Sequence, residues 1–227
     1  MHGAVSSETI HLRPNAAVAE RVLLPGDPGR ALRLAQQLTD QPRMLNHNRG
    51  LWGYTGTAAD GELLTIQATG MGGPSAAIVT EELIRLGAKR LIRVGTCGAL
   101  AGGLALGDLV IAETALPHDG ASRALGASGP LAPDPTLLEA LRAAAPGAHV
   151  GPVLSSDLFY DPDPAPPPEA LAIEMEAATI FAVAAQHGLP AACLLAVTDI
   201  VATRERIGDE ALAAAEEALG RAATSSF

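Results

Sequence analysis

The residues of this chain best suited to chemistry are charged side chains at the ends of apolar segments. Arg30 closes a glycine-rich turn after the apolar segment Val22–Leu24, and its planar guanidinium suits a phosphate or a carboxylate. Gly26 and Gly29 remove Cβ bulk from this turn, so backbone amides and a helix N-terminus can approach an anion. The stretch fits an ordinary strand-to-helix turn equally well, and it matches neither GxGxxG nor the P-loop pattern.

Arg93 is a second arginine in an unusual position, because it lies inside the apolar segment Leu91–Thr96, which is predicted to be a buried strand. A buried arginine is costly unless an anion pairs with it. The sequence leaves two partners open, a carboxylate of the protein or the anion of a ligand. Thr96, Cys97 and Gly98 follow where the strand ends, and open α/β sheets place their ligands there.

Three carboxylates occupy comparable positions. Glu174 and Glu176 flank Met175 just before an apolar segment predicted to be a helix. They fit the acidic charge that a helix N-terminus favours, or a carboxylate that accepts hydrogen bonds from a polyhydroxy ligand. Asp199 ends the last apolar strand, Pro190–Asp199.

Alternating strands and helices position these residues. The predicted strands cover residues 22–24, 51–57, 63–69, 91–96, 107–114, 149–155 and 190–199. The predicted helices cover residues 31–38, 76–86, 135–144, 177–187 and 209–223. The Pro/Gly-rich segments His118–Pro135 and Asp161–Pro168 are predicted to be loops. The pattern predicts a single-domain three-layer α/β/α sandwich around a mixed central sheet, spanning residues 1–227.

Bulk composition excludes several classes of protein. The chain has 227 residues, is 48% hydrophobic and carries a net charge of −10. This is enough for one sizeable core, and the acidic balance argues against nucleic-acid binding. No apolar run reaches about 18 residues, so we expect no membrane span, and the polar N-terminus predicts no signal peptide. Cys97 and Cys193 lack metal-ligand spacing, so we expect no metal and a reducing, cytoplasmic setting.

Seven blocks of the sequence resemble the nucleoside phosphorylases of the purine nucleoside phosphorylase/uridine phosphorylase superfamily. They are VLLPGDPGRA, NRGLWGYTG, TGMGGPSAAIVTEEL, IRVGTCGAL, SSDLFY, IEMEAATIF and AVTDI. The likeness is greatest to the hexameric branch, which includes bacterial purine nucleoside phosphorylase and archaeal methylthioadenosine phosphorylase. The resemblance implies purine salvage: phosphate-dependent cleavage of a purine nucleoside to free base and pentose 1-phosphate. It also implies no cofactor beyond the co-substrate phosphate.

The resemblance further implies roles for the residues that match the family's blocks. The phosphate site would comprise Gly26, Arg30, Arg93, Thr96 and Arg49. Arg49 would be lent to the neighbouring subunit, which implies a dimer-based homo-oligomer, a hexamer in that branch. The ribose would contact Met71, Met175 and Glu176, with His11 reaching the 5′ end from the neighbour. The base pocket would comprise Cys97, Gly98, Phe159, Ile173 and Glu174. Asp199 would protonate the purine at N7, assisted by Arg204 or Arg206.

Rival readings of the same residues stay open. A uridine phosphorylase would carry a glutamine and an arginine in the loop that here reads DLFYDPDPAPPP, and neither is present. A nucleosidase that uses water would not need the arginines Arg30, Arg49 and Arg93. A binding protein without catalysis is the third reading, which the intact Asp199 and Glu176 disfavour. The sequence does not distinguish inosine, guanosine, adenosine and methylthioadenosine as the substrate.

Overall fold

The computed structural model describes residues 9–161 and 165–227. Most of the polar N-terminal stretch and part of the predicted loop Asp161–Pro168 lie outside these ranges. The strands are β1 Arg21–Leu24, β2 Thr39–Asn46, β3 Gly53–Ala58, β4 Leu63–Gln67, β5 Arg90–Ala99, β6 Leu109–His118, β7 His149–Ser156, β8 Ala172–Glu174, β9 Ala191–Ile200 and β10 Glu205–Arg206. The helices are α1 Pro28–Leu38, α2 Gly73–Arg85, α3 Gly120–Ala124, α4 Pro135–Ala144, α5 Ala177–His187 and α6 Asp209–Thr224.

The strands form one mixed sheet, part of which closes on itself. Their order is β10-β9-β6-β7-β8-β5-β1-β4-β3-β2, and β5 also pairs with β9. This additional pairing closes β5, β9, β6, β7 and β8 into a ring. Along one edge of β5, the first residues, 90–93, pair with β1, and the residues Gly98 and Ala99 pair with β8. The strand β5 therefore joins the ring to the open part of the sheet.

Helices cover both faces of the sheet, and each face has its own apolar core. Helices α1, α4 and α6 contribute Leu34, Leu141 and Leu219 to one core. Helices α2 and α5 contribute Leu83 and Phe181 to the other. Burying a leucine or phenylalanine side chain stabilises the fold by roughly 1.5–3 kcal/mol. The architecture confirms the predicted three-layer α/β/α sandwich with a mixed sheet.

Local signals in the sequence explain where several helices begin and end. Asp27 accepts a hydrogen bond from the backbone N–H of Arg30, and Pro28 follows as the first residue of α1. Asp134 caps α4 in the same way, and Gly188, with a φ of 62°, ends α5. These three caps satisfy backbone groups that a helix end would otherwise leave unpaired.

Several elements differ from the sequence prediction, among them the three-residue strand β8, which was not predicted. The strand β2, TDQPRMLN, was not predicted because it is polar and contains a proline, which an edge strand tolerates. The segment His118–Pro135 is not wholly a loop, since it contains α3, which begins after the capping side chain of Asp119. The strand β10 has only two residues and pairs with the end of β9. Within the described residues, no helix is long and apolar enough to cross a membrane.

Candidate active site

Two glycine-rich turns meet at one edge of the sheet. Strand β1 runs parallel to both β4 and β5, so the chain leaves all three strands at the same edge. The backbone N–H of Thr69, after β4, donates to the carbonyl oxygen of Pro25, after β1, at 2.8 Å. A Cβ built on Gly26 would lie 3.4 Å from the carbonyl oxygen of Gly70. The turn that carries Arg30 and the turn 69–75 thus form one continuous rim.

Arg93 lies beside this rim, and two carboxylates hold its guanidinium. Arg93 is only 2% exposed. Nε of Arg93 lies 2.7 Å from Oε2 of Glu174, and one terminal nitrogen, NH2, lies 2.6 Å from Oε2 of Glu176. Burial opposes the charged form, but Glu176 and Glu174 keep the pKa of Arg93 above its ordinary value. Arg93 is therefore a permanent buried cation.

The other terminal nitrogen of Arg93, NH1, has no hydrogen-bond partner in the described part of the chain. Protein carboxylates therefore occupy two of the three guanidinium nitrogens, and the third is a buried nitrogen without a partner. Gly95 makes room for the group, since a Cβ there would lie 2.7 Å from Cζ of Arg93. Residues two apart on a strand share a face, so the motif Arg-x-Gly was the signal that sequence reasoning missed.

Glu174 is enclosed by the protein. Its carboxylate accepts hydrogen bonds from Arg93, from the hydroxyl of Ser155 and from the backbone N–H groups of Glu176 and Ala177. Its side chain has no exposed surface. The geometry therefore favours the helix N-terminal interpretation for Glu174 and leaves it no open face towards a base. Ser155, which sequence reasoning did not assign, also accepts from the N–H of Ala178 at 2.9 Å.

Glu176 connects Arg93 to the second glycine turn. Its Oε1 accepts a hydrogen bond of 2.5 Å from the backbone N–H of Gly72, while its Oε2 contacts Arg93. Burial raises the pKa of Glu176 above its ordinary value, against the opposing charge of Arg93 and a smaller effect of Arg30. Each carboxylate oxygen has a second acceptor position, which a hydroxyl group can use.

Arg30 lies within electrostatic reach of Glu176 and is also largely buried. Its Nε donates to Oε1 of Glu216 at 2.7 Å. In the described structure neither terminal nitrogen of Arg30 makes a hydrogen bond within the protein. The guanidinium is thus anchored through one nitrogen, and its two-pronged end is free to bind an anion.

A second group of candidate residues forms a row across four strands. Ile173 on β8 pairs with Gly98 on β5, Gly98 pairs with Asp199 on β9, and Asp199 pairs with Arg206 on β10. A Cβ built on Gly98 would lie 2.8 Å from Oδ2 of Asp199 and 3.3 Å from Cγ2 of Ile173. The glycine therefore makes the space between them.

The structure distinguishes between the two arginine candidates near Asp199, which are Arg204 and Arg206. Arg206 lies directly across from Asp199, and its Cζ lies 5.9 Å from the ring centre of Phe159, at cation–π distance. Arg204 belongs to the turn before β10 and has a φ of 61°. The register of the hairpin thus places Arg206, and not Arg204, opposite Asp199, and Phe159 extends the row.

The remaining predicted residues lie around these two groups or on the surface. Thr96 and Met175 are half-buried, and burial raises the pKa of the Cys97 thiol well above its ordinary value. Met71 is 86% exposed, and Arg49 is exposed with a φ of 58°. Nδ1 of His11 donates to Oε1 of Glu82 at 2.8 Å.

No hydrogen bond or ion pair of the described residues joins His11 or Arg49 to the Arg93 group or to the Asp199 row. A single chain therefore brings most of the predicted site together but not these two residues. Across residues 9–161 and 165–227, no three His, Cys, Asp or Glu side chains are grouped as a metal site would require.

Two glycine turns beside a buried arginine in a mixed α/β sandwich are suited to binding an anion, and comparison with known proteins shows the family of the chain. The chain belongs to the phosphorylase superfamily, whose family model matches residues 20–226. It is 41% identical over 207 residues to a DeoD-type purine nucleoside phosphorylase of Jannaschia sp., covering 85% of this chain and 87% of that protein.

Two further relatives show comparable similarity. A protein of Halorubrum lacusprofundi named guanosine phosphorylase is 40% identical over 203 residues, covering 85% of this chain and 83% of its own length. A DeoD-type purine nucleoside phosphorylase of Roseobacter denitrificans is 40% identical over 217 residues, covering 89% of this chain and 92% of its own length.

Proposed function

We propose that the protein is a purine nucleoside phosphorylase. It cleaves the N-glycosidic bond of a purine (deoxy)ribonucleoside with phosphate and releases the free base and (deoxy)ribose 1-phosphate. The observation that carries the proposal is the buried guanidinium of Arg93, which keeps one donor unpaired beside two glycine turns. The names of the similar proteins support the same reaction.

The phosphate side of the proposed site explains how the bond is broken. Cleavage of the C1′–N9 bond leaves positive charge on the sugar and sends the electron pair to the purine. A phosphate dianion beneath the sugar stabilises that charge and forms the new bond to C1′ through one of its oxygens. We assign phosphate binding to Arg93, Arg30, the turn at Gly26 and the hydroxyl of Thr96. Preorganised donors of this kind are usually a large catalytic term.

The sugar would lie between the phosphate and the base, against Glu176. This carboxylate is fixed by Gly72 and Arg93, so its free lone pairs can accept the 2′- and 3′-hydroxyls. Met175 and Met71 would contact the sugar ring. We assign Glu174 to the positioning of Arg93, because its own carboxylate is fully enclosed.

The base would lie along the row that contains Asp199. Asp199 would give its proton to N7, so that the purine leaves as a neutral molecule, and Arg206 would stabilise the carboxylate that remains. A hydrogen bond between the side chain of Asp199 and N7 of the bound purine would position that proton for transfer. Cys97, Gly98, Ile173 and Phe159 would line the pocket.

We also propose that the sites are shared between subunits of a homo-oligomer, a hexamer built from dimers. Arg49 and Met71 support this arrangement, because both are exposed on a single chain and neither has an ionic or hydrogen-bonding side-chain partner in the described part. Arg49 and His11 would complete a neighbour's phosphate and 5′ subsites. The free thiols of Cys97 and Cys193 are both buried, which is compatible with the cytoplasmic setting that we expect.

A product assay tests the reaction directly. Purified protein is incubated with inosine, guanosine, adenosine, methylthioadenosine and uridine, each with and without phosphate, and the products are separated. We expect release of a purine base that requires phosphate, with equimolar pentose 1-phosphate. Base release that is indifferent to phosphate would identify a nucleosidase, and release from uridine alone would identify a uridine phosphorylase. No product from any of them would favour a binding protein.

A further inference from the structure

We infer that Glu216, on the C-terminal helix α6, is a positioning residue for phosphate binding, because it fixes the guanidinium of Arg30 while Arg33 balances its charge. The inference rests on the proposed function, since it deepens the role of Arg30. Glu216 is 186 residues away from Arg30 in the sequence, and it belongs to none of the blocks that resemble the phosphorylases.

Both oxygens of the Glu216 carboxylate are occupied. Oε1 accepts from Nε of Arg30 at 2.7 Å, and Oε2 accepts from Nε and NH2 of Arg33 at 2.9 and 2.7 Å. The Glu216 side chain is 3% exposed. A buried carboxylate is costly unless it is paired and hydrogen-bonded, and here two arginines from one helix meet that requirement.

The packing of α6 on α1 places the carboxylate there. Gly220 follows Glu216 by one helical turn and lies on the same face. A Cβ on Gly220 would lie 2.5 Å from Cδ2 of Leu34 and 3.0 Å from Cδ1 of Leu38. The glycine therefore lets α6 approach α1 closely, and Arg30 and Arg33, three residues apart on α1, both face the incoming carboxylate.

The arrangement has a direct consequence for anion binding. Glu216 holds Arg30 through Nε and leaves both terminal nitrogens for the phosphate. An arginine that is already ordered loses less conformational freedom when the phosphate binds. Arg33 occupies the second oxygen of Glu216, so the cluster of two arginines and one carboxylate keeps a net positive charge towards the dianion.

Positioning and simple charge balance predict opposite outcomes for one substitution. Glu216→Gln removes a negative charge near the phosphate, so electrostatics alone would tighten phosphate binding. If Glu216 instead orients Arg30, the same substitution loosens the guanidinium and weakens phosphate binding. The sign of the change therefore separates the two explanations.

The test measures the KM for phosphate, the KM for the nucleoside and kcat in wild type, Glu216→Gln and the matched control Glu217→Gln. Glu217 is the next residue on α6 and pairs with Arg221 on the surface. We expect Glu216→Gln to raise the phosphate KM by about three- to tenfold, the range for releasing one ordered side chain. The nucleoside KM should stay within about twofold, and Glu217→Gln should match wild type.

An unchanged or lowered phosphate KM in Glu216→Gln would overturn the inference. Stabilisation of each protein against thermal unfolding by inorganic phosphate alone provides a second readout. If wild type shows neither phosphate-dependent cleavage nor this stabilisation, the proposed function fails; if wild type shows both and Glu216→Gln keeps the wild-type values, the inference about Glu216 fails. Should Glu216→Gln not fold, Glu216→Asp replaces it, because it keeps the negative charge but shortens the side chain that reaches Arg30. Charge balance then predicts no change, whereas we expect a phosphate KM about threefold higher, and an unchanged value would contradict the inference.

Discussion

The Arg93 group and the Asp199 row are built in contrasting ways. Arg93, Glu174 and Glu176 are buried and linked by short ionic contacts within one chain. Asp199 is partly exposed, and its neighbours Arg206 and Phe159 lie on the surface. In the proposed site, the first group would be preorganised for one small invariant anion, whereas the second would leave room for bases of different shape. Phosphate binding and the binding and protonation of the base would therefore depend on separate parts of the sheet, joined by β5.

Substitution of Arg93 should have the largest effect on stability and activity, because it removes the cation of the buried group. Arg93→Gln leaves two buried carboxylates without their cation, which typically costs about 3–5 kcal/mol of stability. Urea unfolding should show this loss, and phosphorolysis should disappear with it. The control is Arg142→Gln on the exposed part of α4, which pairs with Glu113 and Glu139 and should change stability by less than about 1 kcal/mol. Equal stabilities of the two variants would contradict a preorganised group.

Asp199→Asn tests the Asp199 row and should leave phosphate binding by the Arg93 group unchanged. The variant keeps the size of the side chain but has no proton of the required acidity, so kcat should fall by about 10²-fold or more. The KM for phosphate should stay within about twofold. A variant that loses phosphate affinity as much as turnover would show that the two regions are not separable.

The register of the hairpin β9–β10 predicts a smaller effect on kcat, which should differ between substitutions of Arg206 and of Arg204. Arg206→Gln removes the cation opposite Asp199 and should lower kcat about tenfold, equivalent to roughly 1.4 kcal/mol. Arg204→Gln, in the turn two residues earlier, should leave kcat within about twofold. Full pH–rate profiles of both variants would establish the assignment, and a larger effect at Arg204 would reverse it.

A surface ion pair remote from both regions should give the smallest effect. Arg21 holds the pKa of Asp60 at about 2, below its ordinary value, through hydrogen bonds to the carboxylate. Because the folded-state pKa is lowered, this stabilisation is present above about pH 4 and is lost as the pH falls towards 2. Asp60→Asn should unfold slightly more easily than wild type at neutral pH, and the difference should vanish near pH 2. Its phosphate KM should not change.

Sequence reasoning was most informative where one residue contradicted its surroundings. Arg93 in an apolar strand required an anion, and the structure supplies Glu174 and Glu176. The alternation of strands and helices likewise predicted the sandwich. Such signals are local, because hydrophobic period, caps and a misplaced charge are all visible within a dozen residues.

Contacts between distant segments were not predictable in the same way. Ser155 looks like any strand-end serine, and Glu216 looks like any acidic residue of a surface helix. The choice between Arg206 and Arg204 depends on the register of a two-residue strand, and a shift of that register by two residues would place Arg204 instead of Arg206 opposite Asp199. The polar edge strand β2 lacks the apolar alternation by which strands are recognised.

The contact between α1 and α6 also has a consequence for biosynthesis. The ribosome adds about 5–20 residues per second, so the 186 residues between Arg30 and Glu216 correspond to about 10–40 s of translation. During that time the nascent chain carries the glycine turn and its arginine without the carboxylate that orients it. The proposed anion-binding pocket would therefore be completed only when α6 has left the ribosome and docked.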